Sequence, residues 1–583
     1  MVRKKEKFKG SLRLDWINKD KSLYYEIDEK ENRGIKPQWV DKNDIRVSEP
    51  RILNFVKNYG DEENDNILIR GDNLLALRTL VEQFKTRDEE DKVKCIYIDP
   101  PFNTGNAFDK YDDNLKHSEW LTMMRDRLIL LKKLLRKDGM IFVHIDNNEV
   151  AYLKVLMDEI FGRENSIQII SVKRASPAGF KTINPGPVTV TDFILIYSIN
   201  RRAFLDSFKP TYLEVDYDSN YDLYIENFNE KPEEWRFKKI YEIVYEKEGI
   251  NNWKEAKTKW GKNWMMVRDS LAGDFAVENA ERVVSVRDPH KPSIKIKEYL
   301  TKSKQKKNKV FVMVRKDKNS IYFLNGGALS FYKNKLKVVD GNEVPTELLT
   351  DVWTDTKFSG IAKEGDVKFK MSKKPEVLIK RVLEMSTEKK DLVLDSFAGS
   401  GTTGAVAHKM GRRWIMVELG RHAEDLCIKR LQNVIKGDTT GISKIVNWKG
   451  GGGFKYYKLG ESLISEDRTD VNWKLTYKQI AEALFYAKNF KLIDNKKLEK
   501  KNIFIGKNLN EKGTFAVCSV SKDLDTIGIN DYEEFVKEIK EQGDFKEINL
   551  YTNKALAVRE KNQLKEVVVR KIPQTILKKY NLI

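Results

Sequence analysis

Two short stretches of this 583-residue chain carry residues whose types and spacing could do chemistry. In the first, CIYIDPPFN, an apolar run from Cys95 to Ile98 meets an acid, two prolines and an aromatic. Proline cannot donate to a sheet ladder, so a strand must end at Asp99 and leave it as a stiff, extended turn. That turn holds the Asp99 carboxylate, the carbonyls of Pro100 and Pro101 and the Phe102 ring at a strand's C-terminal end. In open α/β sheets, ligands bind there. The second stretch is LVLDSFAGSGTTG at 392–404, followed by WIMVELG. Its spacing places a strand end at Asp395, a turn through Phe397, Ala398, Gly399 and Gly401 that lets backbone approach a ligand, and a helix opened by Thr402 and Thr403. Glu418 then ends the next strand, where an acid can bind two ribose hydroxyls. This is the anatomy of a nucleotide-type cofactor site. No lysine follows the glycines, so it is not a phosphate-binding P-loop, whereas GSGTTG satisfies G-x-G-x-x-G and leaves a dinucleotide open on spacing alone.

Such residues need a parallel sheet to position them. NILIRGDNLLALRTL reads as a strand, a turn at Gly71 and a helix capped by Asp72 or Asn73. HSEWLTMMRDRLILLKKLLRKDG reads as an amphipathic helix with Leu121, Met124, Leu128, Leu131 and Leu135 on one face and Gly139 as its C-cap. MIFVHID, NNEVAYLKVLMDEIFG and DFILIYS continue as strand, helix, strand, and alternation of this kind means a parallel sheet covered on both faces. His144 lies in an apolar strand and is expected to pack, as is Cys95. The alternation breaks from about 201 to 360 and resumes with PEVLIKRVLEMS and LVLDSF. The expected organisation is an N-terminal arm (1–50), a first half of the α/β domain (51–200), an insert (201–360), a second half (361–449) and, after the Gly450–Gly453 run, a C-terminal α/β domain (450–583).

A net charge of +19 points to a polyanionic partner. The insert concentrates it: residues 291–318 hold eleven Lys or Arg against Glu298 and Asp317. Three scattered cysteines exclude a disulfide framework and fit a reducing cytosol. The five histidines show no metal-ligand spacing, so no metal site is expected. No apolar signal region and no stretch near the roughly 20 residues of a membrane span is present, so the expectation is a cytoplasmic protein without membrane contact.

DPPF and FAGSGTTG, in that order around a long insert, resemble the β-class amino-methyltransferases of DNA. With RGDNLLAL, HSEWLTMMRDRL, DGMIFVHIDNNE, GFKTINPGP, DVWTD, KKPEVLIKRVL and GGGGFKYYKLG, they resemble more closely the modification subunits of type III restriction–modification systems, over roughly residues 50–460. The family's usual Tyr is Phe102 here, which keeps the stacking face and loses a hydroxyl. The resemblance implies a Rossmann-like, circularly permuted S-adenosylmethionine-dependent methyltransferase fold with an inserted target-recognition domain. It implies S-adenosylmethionine as methyl donor and adenine N6 as acceptor, with cytosine N4 a close variant. Asp99 and the Pro100 carbonyl would accept the amine's N–H groups, and Phe102 would stack on a flipped base. Asp395, Phe397, Ala398, Gly399, Gly401, Thr402 and Glu418 would hold the cofactor, with Lys374 and Pro375 beside it. Asp72 fits either the family's acid next to the catalytic strand or a helix cap. Asn103, Lys173 and Lys181 would meet the substrate, although the loop holding Lys181 and Asn184 reads equally as a solvated one. Lys302, Lys304, Lys306, Lys307 and Lys309 would grip phosphates. Expected partners are double-stranded DNA, a second copy of the chain and a separate ATPase–nuclease restriction subunit. An RNA methyltransferase and a non-catalytic DNA-binding specificity subunit stay open as other classes.

Overall fold

The computed structural model describes residues 12–176 and 187–462, apart from scattered positions such as 104–106, 113–115 and 368–372, and short stretches beyond them. Lys181 and Asn184 lie outside the described residues. The chain forms two compact units, Lys209–Thr350 and one assembled from the segments on either side of it.

The flanking unit is built on a ten-stranded sheet. Its strands are β1 (Arg51–Gly60), β2 (Ile67–Arg70), β3 (Val93–Ile98), β4 (Leu135–Ile145), β5 (Ser166–Lys173), β6 (Thr191–Ser198), β7 (Val352–Trp353), β8 (Leu392–Asp395), β9 (Arg413–Glu418) and β10 (Gly453–Ser462). Across the sheet the order is β7-β5-β6-β4-β3-β8-β9-β2-β10-β1. The run from β4 to β10 is parallel throughout, and β6 and β1 are antiparallel to the strands that flank this run. Every residue of β3 and of β8 is buried, because a central parallel strand meets apolar packing on both faces. Its α-helices of eight or more residues, among the described residues, are α1 (Asn73–Phe84), α2 (His117–Leu134), α3 (Val150–Phe161), α4 (Glu376–Ser386), α5 (Thr402–Lys409) and α6 (Ile428–Ile435). The apolar stripes of α1, α2 and α3 share one core with Ile96, Ile98, Ile141, Leu394 and Val417.

Three expectations are corrected. Helix α2 stops at Leu134, and Gly139 is not its cap. The chain passes straight into β4 with a register irregularity between Leu135 and Met140, and Asp138 in that kink is held by Lys94 at 2.6 Å and Arg136 at 2.6 Å. The glycine run is not a domain boundary either. Gly450, Gly451 and Gly452 adopt φ of 95°, 107° and 73°, the left-handed region that suits glycine, and turn the chain into β10, which lies inside the main sheet between β2 and β1. The described residues of the N-terminal arm pack onto the α/β unit: the Leu14 amide donates to Glu159 Oε1 on α3 at 2.8 Å and Trp16 Nε1 to Thr122 Oγ1 on α2 at 2.8 Å. Leu23, Val40 and Val47 join the main core as well, but they stand too far apart in the sequence to form an apolar period.

The Lys209–Thr350 unit holds a six-stranded sheet, a three-stranded antiparallel sheet and helices at Ile240–Lys247, Trp253–Trp260, Trp264–Glu278 and Ile294–Gln305. Beyond β10, strands at Phe504–Asn510, Gly513–Ser519, Glu547–Thr552 and Val567–Lys571 form a four-stranded sheet, antiparallel in its first pair and parallel thereafter.

Because β10 is hydrogen-bonded on both sides, truncation after residue 449 should abolish a cooperative thermal transition of the flanking unit. Truncation after residue 476 should preserve it. Equal melting curves for the two fragments would show that β10 is dispensable.

Candidate active site

The pairing of β3 with β8 sets Leu394 opposite Ile96, so the two chemical turns leave neighbouring strands at the same edge of the sheet. The Asp99–Phe102 turn is fixed from behind: Trp120 Nε1 on α2 donates to the Pro101 carbonyl at 2.7 Å. Asn103, at φ 59°, donates through Nδ2 to Glu149 Oε1 at 2.8 Å. Lys374 reaches the turn from the other half of the chain. Its ammonium lies 2.7 and 2.6 Å from the two oxygens of Asp99 and 4.8 Å from the centre of the Phe102 ring. Pro375, beside it, is the N-cap residue of α4.

Beneath Phe102 the His144 imidazole stacks at 5.8 Å and 19°. Its Nε2 lies 3.2 Å from Asp192 Oδ2 and its Nδ1 2.9 Å from the Tyr97 hydroxyl. Burial, reinforced by the Lys374 charge, depresses the histidine's pKa against the pull of Asp192. Burial also pushes the Cys95 thiol on β3 up to about 12, keeping it an inert core group.

On the cofactor side, Asp395 is buried, accepting from the Phe397 amide at 2.9 Å and from the Thr403 hydroxyl at 2.6 Å. Gly399 (φ 54°) and Gly401 (φ 76°) form the turn, and the Gly401 amide closes it on the Ala398 carbonyl at 2.8 Å. Glu418 accepts from the Gly399 amide at 2.6 Å and the Gly420 amide at 3.1 Å, with His422 Nε2 at 3.0 Å. Burial works against its ionisation, yet His422 and the two amides hold its pKa below the usual carboxylate range. Thr402 accepts from Arg430 Nη1 at 2.7 Å.

Asp72 is the N-cap of α1, accepting from Leu74 N at 2.8 Å and Leu75 N at 3.2 Å, with Arg127 at 3.3 Å. Lys173 ends β5 and is exposed. In the Lys209–Thr350 unit, Lys302, Lys304, Lys306, Lys307 and Lys309 are all exposed at and after the C-terminal end of the Ile294–Gln305 helix. Residues that sequence reasoning passed over also shape the site. Asn73 Nδ2 donates to the Ser396 carbonyl at 2.7 Å, tying α1 to the glycine turn, and its position inside GDN was the available signal. Arg430, Cys427 and His422 support the glycine turn from far along the chain and carried no local signal. Among the described residues, no group of three or more His, Cys, Asp or Glu could hold a metal ion, and no helix is long and apolar enough to cross a membrane.

A parallel α/β sheet with an Asp-Pro-Pro-aromatic turn beside a glycine-rich turn is the arrangement expected of the amino-methyltransferases that the sequence resembles. A family model described as DNA methylase, of the N6 and N4 type, matches residues 93–429, and the chain belongs to that family. It is 34% identical over 460 residues, 73% of its length, to the probable type III restriction–modification enzyme HindVI Mod subunit of Haemophilus influenzae. It is 33% identical over 188 residues, 26% of its length, to the EcoP15I Mod subunit of Escherichia coli. It is 39% identical over 143 residues, 24% of its length, to the type II methyltransferase M.EcaI of Enterobacter cloacae. The matched regions span 59%, 28% and 30% of those relatives' own lengths.

Burial, with Asp99 and Glu418 adding to it, pushes the Asp395 carboxyl from its ordinary 3.8 up to about 7. Between those values the folded chain keeps a proton that the unfolded chain has lost, so this group's contribution to stability falls as pH rises through the window and is level above it. The slope is at most on the order of 1.4 kcal/mol per pH unit. Asp395→Asn should remove that decline; denaturant titrations at about pH 5 and about pH 8 measure it. Parallel pH dependence in the two proteins would mean that Asp395 titrates normally.

Proposed function

We propose that this protein is a site-specific DNA methyltransferase that transfers the methyl group of S-adenosylmethionine to N6 of an adenine flipped from the duplex. We propose further that it serves as modification and specificity subunit of a type III restriction–modification system. One observation carries the reading: the Asp99–Phe102 turn and the Gly399–Gly401 turn sit side by side at one sheet edge. The residues at the second turn fit such a donor. A Cβ built on Gly399 would meet nothing closer than the Phe397 carbonyl at 3.9 Å, so the turn faces open space, and Glu418 stands at its rim with an ionised carboxylate. Bound there, S-adenosylmethionine supplies an electrophilic methyl group.

The chain's own residues prepare the acceptor. An exocyclic amine conjugated to its ring is a poor nucleophile. Asp99 and the Pro100 carbonyl, accepting its two N–H groups, favour a pyramidal nitrogen whose lone pair points away from the ring. Phe102 offers the face on which a flipped base stacks, and the Trp120 bond to Pro101 keeps that face in place. Asp99 is also the nearest base for the proton that the methylated nitrogen sheds. No cysteine stands at the turn, so no covalent enzyme intermediate is involved.

The exposed lysines from Lys302 to Lys309 hold phosphates. Double-stranded DNA is the substrate, and the protein works in the cytoplasm as a dimer beside a separate restriction subunit carrying ATPase and nuclease activities. That subunit would dock on the region beyond β10. The similarity to the HindVI Mod subunit over 73% of the chain supports this division of labour.

Modified-base sequencing of native DNA, with and without the gene, should map N6-methyladenine to one short recognition sequence. N4-methylcytosine there would change the acceptor, and no modified base would refute the reading. Asp99→Ala should abolish transfer while duplex affinity and donor binding change by less than about threefold. Near-normal turnover would remove Asp99 from the chemistry. Each phosphate-holding lysine neutralised between Lys302 and Lys309 should reduce the salt slope of DNA binding by about 0.9; an unchanged slope after several replacements would mean the segment only meets solvent.

A further inference from the structure

We propose that Lys374 is a positioning residue that keeps the acceptor seat of Asp99 filled until a target amine displaces it, so that base capture is an exchange of donors. The proposal rests on the methyltransferase reading above. One ammonium lies 2.7 and 2.6 Å from both carboxylate oxygens and 4.8 Å from the centre of the Phe102 ring. A carboxylate and an aromatic face are the two features that would receive an amino-bearing base. Lys374 thus occupies both places, imitating the amine as N–H donor to the acid and standing as a cation at the ring where the base would stack.

Each partner is also fixed without this contact. The turn carrying Asp99 is pinned by Trp120 at the Pro101 carbonyl and by Asn103 at Glu149. The segment entering α4 is pinned by the neighbouring Lys373, whose ammonium binds the carbonyls of Val367 at 3.0 Å, Ala362 at 3.3 Å and Glu364. It is pinned again by Glu376, held by Arg430 at 2.7 Å and Lys409 at 2.8 Å. With both ends fixed independently, a 12% exposed lysine on a 20% exposed aspartate is left to act on what reaches the acid. A second consequence follows from charge. The attacked nitrogen turns positive during transfer, and an ammonium held at the same carboxylate would oppose it, so Lys374 must withdraw before transfer. Bases that offer no amine have nothing to exchange for it.

The test uses the full-length protein without methyl donor and a duplex carrying the mapped recognition sequence, with 2-aminopurine beside the target adenine to report unstacking when that adenine leaves the helix. Lys374→Met keeps the chain length and removes the donor. It should increase capture about tenfold, the weight of one charge-assisted hydrogen bond withdrawn from the competing state, with affinity for unrelated duplex unchanged. Lys374→Arg, which keeps the charge and the bidentate contact, should stay at or below wild type. Capture by Lys374→Met at or below wild type, with melting temperature and duplex affinity preserved, overturns the proposal. Should Lys374→Met melt early, Lys374→Gln is read in the same way, with an increase supporting the exchange and no increase refuting it. A wild-type chain that methylates no DNA overturns the methyltransferase reading and this proposal with it. A methylating wild type with unchanged capture in the variant overturns this proposal alone.

Discussion

The parallel pairing of β3 with β8 is the constraint on which the rest of the structure depends. These strands come from opposite sides of the insert, yet their register alone decides that an acidic turn and a glycine turn share one edge. A slip of one residue would exchange the two faces of β3 and turn its core side chains to the wrong layer. The pairing survives a long interruption because of where the interruption falls. The 209–350 unit leaves after β6 and the chain returns at β7, both on the side of the sheet away from β8 and β9. Loop-closure entropy grows only slowly with loop length, so a folded insertion there costs the central strands little.

A second layer of order is electrostatic and lies beneath the glycine turn. Glu376 is buried, with one oxygen on Arg430 and the other on Lys409, and Lys409 also holds Asp438 at 2.6 Å. Burial opposes the charge on Glu376, but the two cations outweigh it and hold its pKa down. Buried networks of this kind yield little net stability once desolvation is counted. What this one does is directional: Arg430 Nη1 donates to the hydroxyls of Thr402 at 2.7 Å and Ser400 at 3.3 Å. The glycines allow the turn, and Arg430 decides its shape.

This division explains what could be seen in the sequence. Strands β3 and β8 were visible because two-sided burial demands unbroken apolar runs, and the turns were visible because proline and glycine restrict backbone in ways other residues do not. The N-terminal segment was not, because it is bound through single hydrogen bonds such as that of Leu14 to Glu159 and through isolated core residues, Leu23, Val40 and Val47, which leave no periodic trace. Strand β10 was hidden by its own glycine turn, which reads locally like a linker. Lys374 was singled out by its motif and expected beside the cofactor, whereas its ammonium reaches Asp99. Only the tertiary fold determines where a long side chain ends, so such contacts between distant segments escape any local pattern.

The surroundings of Phe102 show how few charges the turn tolerates. Burial and the nearby Asp99 push the Tyr97 hydroxyl's pKa far up, so it keeps its proton and donates it to His144 Nδ1. That leaves His144 Nε2 as the donor to Asp192, whose other oxygen meets Arg174 at 2.8 Å. The imidazole is therefore held neutral in one tautomer, by burial first and by the Lys374 charge second. A protonated ring stacked under Phe102 would set a permanent cation against the face that, on the proposed function, receives a base. A neutral one gives flat support without competing. The cation at that ring is then the ammonium of Lys374, carried on a flexible stem and seated on Asp99. The fixed groups of the turn are neutral or paired away from the ring, and the one charge beside it is carried on a side chain that can move, as the proposed exchange requires.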